Sequence, residues 1–131
     1  MKRLLLIALL AFTPSAFAAS GFLTTSGTTC SATGVTCLIV SLAQDKGGAG
    51  VSISGTWTGT ITFEGTVDGG TSWSAINAYP LNSGTAVTTA TANGQWQVNV
   101  TGLTGVRARA SATMTGSALV TITPSYASLG H

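Results

Sequence analysis

The sequence carries very little charge. Its 131 residues include five Lys or Arg, three Asp or Glu and a single His. Two of the five basic residues belong to an N-terminal segment that we predict to be removed, so the mature charges are Lys46, Arg107 and Arg109 against Asp45, Glu64 and Asp68. Nucleic-acid binding needs several basic groups against phosphates, and anionic lipid needs a polybasic patch. We therefore expect neither partner.

The sequence also lacks an apolar run long enough to span a bilayer, which takes about 20 residues. Its N-terminal apolar run, 4–12, follows Lys2 and Arg3 and precedes Pro14 and the small-x-small triplet 16–18. This pattern predicts a secretory signal cut after Ala18, with a retained anchor as the alternative. We expect an exported protein (periplasmic, extracellular or at the cell surface) with no membrane insertion after cleavage.

Cysteine is scarce, with two residues in the chain. Cys30 and Cys37 suit a disulfide that closes a short loop in an exported protein. Their spacing excludes a Cys-x-x-Cys redox site, and no second pair of Cys or His is present to complete a metal site. We predict a signal peptide at 1–18, an arm with the disulfide loop at 19–36, one domain at 37–125 and a loose tail at 126–131.

Catalytic residue types are equally few. The one histidine, His131, is the last residue, and Glu64 has no second Glu nearby for paired-carboxylate chemistry. No Ser-His-Asp set can be drawn without His131 folding back. We predict that the chain is not an enzyme and that it uses no cofactor and no metal.

Short stretches of alternating apolar and polar residues, separated by glycine turns, fill the rest of the chain. No helical period is present, and the roughly 8–12-residue spacing predicts an all-β fold, an antiparallel β-sandwich or jelly roll of about eight short strands. We expect Ile53, Phe63, Trp96 and Val120 between the two sheets. Residues 19–29 are either a flexible arm or a first edge strand.

The stretch 51–73 is expected to contain a hairpin. A loop at Trp57-Thr58-Gly59 would pair Thr56 with Thr60 and put Val51, Ile53, Ile61, Phe63 and Val67 on one face, with Thr60, Thr62, Glu64 and Thr66 on the other. A loop is expected at 43–50 and a turn at Thr115-Gly116, and Pro124 is expected to end the last strand.

The octet TVDGGTSW, 66–73, resembles the Asp box of sialidase-like propellers, [S/T]-x-D-x-G-x-x-W. In those proteins the box recurs once per blade as a structural lock on a hairpin, away from the active site. The resemblance implies a structural turn here, made by Asp68, Gly70 and Trp73.

Two longer stretches carry a wider resemblance: GTWTGTITFEGTVDGGTSW and, after a glycine-rich interval, NGQWQVNVTGLTGVRARASA. Together they resemble a small β-sandwich domain of tailed-phage virion and prophage structural proteins. The layout is also similar to discoidin-like, galactose-binding-type jelly rolls, in which a late strand carries an Arg-x-Arg pair. The resemblance covers about 51–125.

The candidate binding residues are Trp57, Tyr79, Arg107 and Arg109. The arginines are donors suited to a sugar hydroxyl or carboxylate, or they pair with Glu64 or Asp68 and cover the sheet with their stems. We expect a non-catalytic interaction module that docks onto a partner protein or assembles with itself on a cell or virion surface. The alternative is a carbohydrate-binding, lectin-like module.

Overall fold

A computed structural model describes residues 18–30, 32–43 and 46–126. The predicted signal peptide, apart from Ala18, lies outside these residues, as do Asp45 and His131. The described chain forms eight strands: β1 (Ala19–Leu23), β2 (Cys37–Ser41), β3 (Lys46–Thr66), β4 (Ser74–Ala75), β5 (Ala78–Pro80), β6 (Thr89–Ala90), β7 (Gly94–Asn99) and β8 (Gly105–Tyr126).

All strand pairings are antiparallel, and the two longest strands, β3 and β8, pair with each other over nearly their whole length. They have 21 and 22 residues, so two of the eight strands are much longer than expected. The flanking strands are short, and each pairs with one part of β3 or β8.

The predicted hairpin at Trp57-Thr58-Gly59 is wrong. β3 continues through these residues, and Trp57 pairs with Gly116 of β8. The predicted turn at Thr115-Gly116 is wrong for the same reason. Instead, the register shifts beside Gly59, which has a φ of +133°, and Gly116 has a φ of +78°. Glycine tolerates such angles, so these residues bend the paired strands instead of reversing them.

The bend divides the sheet into two halves that face each other as a sandwich. The open half contains β1, β5, β7, residues 46–56 of β3 and residues 117–126 of β8. The covered half contains β2, β4, β6, residues 60–66 of β3 and residues 105–112 of β8. The all-β antiparallel sandwich is therefore confirmed.

The core lies between the halves and is formed by inward-facing side chains of both. The ring of Phe63, in the covered half, lies 5.3 Å from the ring of Trp96, in the open half. The four predicted core residues are all buried, and the largest fully buried side chains include Phe63, Leu23, Leu38, Ile53, Ile61, Ile122, Val100, Val106 and Val120.

Several local predictions are wrong. Val67 was expected to face inward but is 68% exposed, because it lies just beyond the end of β3. Glu64 and Thr66 do lie on the predicted face, away from the core, but they are buried because other chain segments cover them. The region 43–50 is not all loop, since β3 begins at Lys46. Pro124 does not end the last strand, which reaches Tyr126.

The arm is joined to the sandwich at several points. Ala19–Leu23, for which two interpretations were open, forms β1 and pairs with residues 118–122 of β8. A disulfide links Cys30 to Cys37 of β2, with their Cα atoms 6.3 Å apart. The predicted disulfide is therefore present, and it ties the loop between β1 and β2 to the start of β2.

Candidate functional site

Arg107 and Arg109, two of the predicted binding residues, share one carboxylate. Arg107 Nε lies 2.6 Å from Glu64 Oε1, while Arg109 donates from Nε to Oε1 and from Nη2 to Oε2, each at 3.0 Å. The register places Glu64 directly opposite Arg107 on β8. All three side chains are largely removed from water. The arginines could bind a ligand or pair with an acidic residue of the sheet, and the geometry shows that they pair with Glu64.

The same arginines hold the arm against the covered half. Arg107 Nη1 donates to the carbonyl oxygen of Cys30, and Arg109 Nη1 donates to that of Gly27 at 2.5 Å. The guanidinium of Arg107 also lies 4.3 Å from the ring centre of Trp73. Buried charges need this kind of pairing and hydrogen bonding to offset the loss of hydration.

The pKa shifts follow from this arrangement. Burial raises the pKa of Glu64, but the hydrogen bonds and charges of Arg109 and Arg107 outweigh it, so the pKa is lowered overall. The hydrogen bond with Glu64 raises the pKa of Arg109. Both shifts favour the charged forms of Glu64 and Arg109 at neutral pH, so the ion pair between them is retained.

The turn at Asp68 is built as the Asp-box resemblance implies. Asp68 Oδ1 accepts from the backbone N–H of Ser72 at 2.9 Å, and Oδ2 accepts from the Ser72 hydroxyl at 2.6 Å. Thr66 Oγ1 donates to Asp68 Oδ1 at 2.7 Å and accepts from the N–H of Gly70. The bonds from Ser72 and Thr66 lower the pKa of Asp68 to about 2. The ring of Trp73 packs beside Gly70.

The other two predicted binding residues lie apart from the arginines. Trp57 is half-buried in β3, and its Nε1 donates to Asn93 Oδ1 at 2.7 Å, while Asn93 donates to the carbonyl of Gly55. Tyr79, on β5, is 42% exposed. The structure therefore does not bring the four residues together, and Tyr79 is the one with a substantially exposed ring.

Tyr79 lies beside a groove on the outer face of the open half, the glycine groove. Its floor is the backbone of Gly48 and Gly50. Gly50 pairs with Gln97 of β7 on one side and with Thr123 of β8 on the other. The volume is about 420 Å³, and a recess of about 240 Å³ adjoins it along β3.

The sequence does not predict the glycine groove, because the glycines of 43–50 favour a loop there, whereas β3 begins at Lys46. The signal was present: Ala49, Val51 and Ile53 face inward, so alternation places Gly48, Gly50 and Ser52 outward on the same strand. Along with them, the face carries Gln95, Gln97, Asn99, Thr121, Thr123 and Ser125, all uncharged.

The sandwich edges differ in their protection. The edge of β2 is covered, since Thr33 Oγ1 bonds both the N–H and the carbonyl of Ile39. The edge of β5 is bridged by Val87 and carries Pro80. Within the described chain, the backbone of β1 is hydrogen-bonded to β8 alone. Phe22 of β1 is 60% exposed.

Two further features are absent from residues 18–30, 32–43 and 46–126. No group of three or more His, Cys, Asp or Glu side chains there could hold a metal ion. No helix in that part of the chain is long and apolar enough to cross a membrane.

Comparison with known proteins gives one informative match. No protein-family model matches the chain, and no curated protein does so. The crystal structure of the SPBc2 prophage-derived protein YomS is similar, with a TM-score of 0.57 and 18% identity over 83% of this chain and 96% of that chain. At this identity the similarity shows the fold alone. The chain thus shares its all-β fold with a prophage-derived protein, which supports the phage resemblance but not the discoidin-like one.

Proposed function

We propose that the chain is an exported, non-catalytic interaction module that docks onto a partner protein or onto copies of itself at a cell or virion surface. Its fold is shared with a prophage-derived protein. Glu64, Arg107 and Arg109 bond one another, and Asp68 bonds its own turn, so these ionisable groups serve the fold. Their use in internal hydrogen bonds supports a non-catalytic role.

The observation that carries the proposal is the open edge of β1. An edge strand offers unpaired N–H and C=O groups to another strand, and proteins usually protect such edges with lysine, proline, bulges or covering loops. β1, with the sequence ASGFL, has no charged side chain and no proline. Of the other edge strands, β2 and β5 are protected, and β4 and β6 have only two residues each. β1 is therefore the edge best suited to strand addition by a second chain, with Phe22 as an apolar contact.

Replacing one exposed apolar residue on this edge tests the proposal. Phe22→Lys adds a charge to β1, and Val67→Lys adds the same charge at an equally exposed position in the covered half. We expect the mature chain to self-associate in sedimentation velocity, or a labelled chain to bind whole cells or virions of its source. Phe22→Lys should abolish that association and Val67→Lys should retain it. A monomer that binds neither surface, or two variants that behave alike, would refute the proposal.

Carbohydrate binding is the second candidate, and the position of Tyr79 favours it. The exposed ring borders a groove lined by amides and hydroxyls. The other three residues predicted for this function have internal partners: Glu64 and backbone carbonyls for the arginines, Asn93 for Trp57.

A further inference from the structure

We propose that the glycine groove binds a neutral polysaccharide chain, which would lie along Gly48 and Gly50 between Tyr79 and Ser125. The inference rests on the second candidate function and is independent of docking at β1. It places the ligand on residues other than the Arg-x-Arg pair.

The shape of the groove follows from the two glycines. Gly48 pairs with Asn99 and Ser125, and Gly50 pairs with Gln97 and Thr123, so each row has side chains at both ends and none in the middle. Adjacent strands lie about 4.8 Å apart, so the backbones of β7 and β8 are about 10 Å apart across β3. A space this wide, with a backbone floor, accepts a ring-shaped group lying flat.

The chemistry of the walls favours sugar hydroxyls. Amides and hydroxyls each offer both donors and acceptors, as the hydroxyl groups of a sugar require. No residue of the described chain hydrogen-bonds the side-chain amide of Gln97, so that amide is available to a ligand. Tyr79 adds an exposed aromatic ring beside it. The volume of the groove, about 420 Å³, lies within the range of small-ligand sites.

The absence of charge selects a neutral ligand over an acidic one. The outer face of the open half carries no ionisable side chain other than tyrosine among the described residues. Lys46, at the start of β3, is 5% exposed, with its Nζ over the ring of Tyr126. The groove also lacks the Trp and Arg anchors that dominate the centres of protein interfaces. The walls therefore fit a neutral glycan better than a protein partner.

Filling the groove tests the assignment with little risk to the fold. A Cβ added at Gly50 would have no atom within 4 Å, and its φ is not in the left-handed region, so Gly50→Val should fold normally. Ser54→Val is the matched control, because Ser54 lies on the same strand and face beyond the groove. Unfolding curves verify that both variants are folded.

The probes are neutral hexasaccharides of glucose, N-acetylglucosamine and galactose, with oligogalacturonate as the acidic contrast. In NMR titrations to millimolar concentration, at least one neutral probe should shift the amide signals of Gly48, Gly50, Gln97 and Ser125. Gly50→Val should weaken its affinity at least about tenfold, Tyr79→Ala should weaken it less, and Ser54→Val should leave it unchanged.

The assignment fails if no neutral probe shifts these signals, if oligogalacturonate binds more tightly than all of them, or if Gly50→Val binds as the unmodified chain does. Phe22→Lys separates this result from docking at β1. Sugar binding should survive Phe22→Lys, and self-association should survive Gly50→Val. If Phe22→Lys abolishes self-association but no neutral probe binds the unmodified chain, the β1 proposal stands and the proposal for the glycine groove fails.

Discussion

The two halves of the sandwich share β3 and β8, but their outer faces differ: one is covered by other chain segments and the other is exposed. The outer face of the covered half lies under the arm and the Asp68 turn, held there by Glu64, Arg107 and Arg109. The outer face of the open half has no such cover in the described chain and no charged side chain. The few charges are thus used to attach chain segments to one half. On the other half, Thr121, Asn99 and Ser125 have internal hydrogen bonds, while the side chains of Gln95, Gln97 and Thr123 have no partner among the described residues and are available for contact.

The largest effect that separates the halves should come from Glu64→Gln. This change removes the carboxylate between two arginines and leaves buried Arg107 without its ion pair. Breaking a buried pair in this way costs about 3–5 kcal/mol. We expect a free energy of unfolding lower by about 3 kcal/mol in urea denaturation.

The control for this change lies on the open half. Gln95 is exposed on β7 and no described residue hydrogen-bonds its side chain, so Gln95→Ala should change the stability by less than about 0.5 kcal/mol. If Glu64→Gln and Gln95→Ala lower the free energy of unfolding equally, the ion pairs on the covered half do not stabilise the chain more than the side chains of the open half do.

The disulfide should have the next largest effect. It closes a short loop, with a sequence separation of seven, and chain-entropy arguments give about 2.5 kcal/mol for a loop of this size. Reduction should lower the stability by that amount and change the fluorescence of Trp73, because the Cys30 carbonyl bonded to Arg107 is released. The double variant Cys30→Ser/Cys37→Ala should not respond to reductant. A reduced chain that unfolds at the same urea concentration as the oxidised chain would contradict this.

The fold class could be predicted from the sequence because alternation alone decides it, but the connectivity could not. In β3 the inward residues Val51, Ile53, Ile61 and Phe63 are all odd-numbered. A hairpin with a three-residue loop and one continuous bent strand both keep odd residues on one face. Parity therefore identifies the buried face without deciding whether the chain turns at Gly59.

The sites were harder to predict, because they depend on that connectivity. Glu64 lies opposite Arg107 only when β3 and β8 pair along their full length. The glycine groove likewise forms only if the strand begins before Gly48, where the glycines favoured a loop. By contrast, the Asp68 turn depends on residues within one octet, and its hydrogen bonds lie where the motif implies.

A smaller effect is expected at the bend that the halves share. Gly116 has a φ of +78°, and an added Cβ would overlap the carbonyl oxygen of Thr56. The left-handed backbone alone costs other residues about 1–2 kcal/mol, so Gly116→Ala should destabilise the chain by about 2 kcal/mol. Hydrogen exchange should then rise in both halves together. Gly84→Ala, with no atom within 4 Å, should be nearly neutral. Faster hydrogen exchange in one half alone would show that the bend at Gly116 stabilises only that half.

The smallest effect should be the acid sensitivity contributed by the Asp68 turn, which is exposed to solvent. The folded-state pKa of Asp68 is lowered to about 2 from an ordinary value of 3.8. A lowered folded pKa stabilises the protein above the unfolded pKa, and this contribution is lost as the pH falls through the folded value. Between about pH 5 and pH 2, the chain should therefore lose stability.

Asp68→Asn shows how much of this loss belongs to the turn. The variant should be less stable than the unmodified chain near neutral pH, because an amide is a weaker acceptor for Ser72 and Thr66. Its stability should then fall less steeply on acidification, with Glu64, whose pKa is also lowered, providing the remaining slope. Urea denaturation over this pH range measures both curves. Parallel curves would show that Asp68 contributes nothing to the acid sensitivity, and the charges that hold the covered half would then reduce to Glu64 and its two arginines.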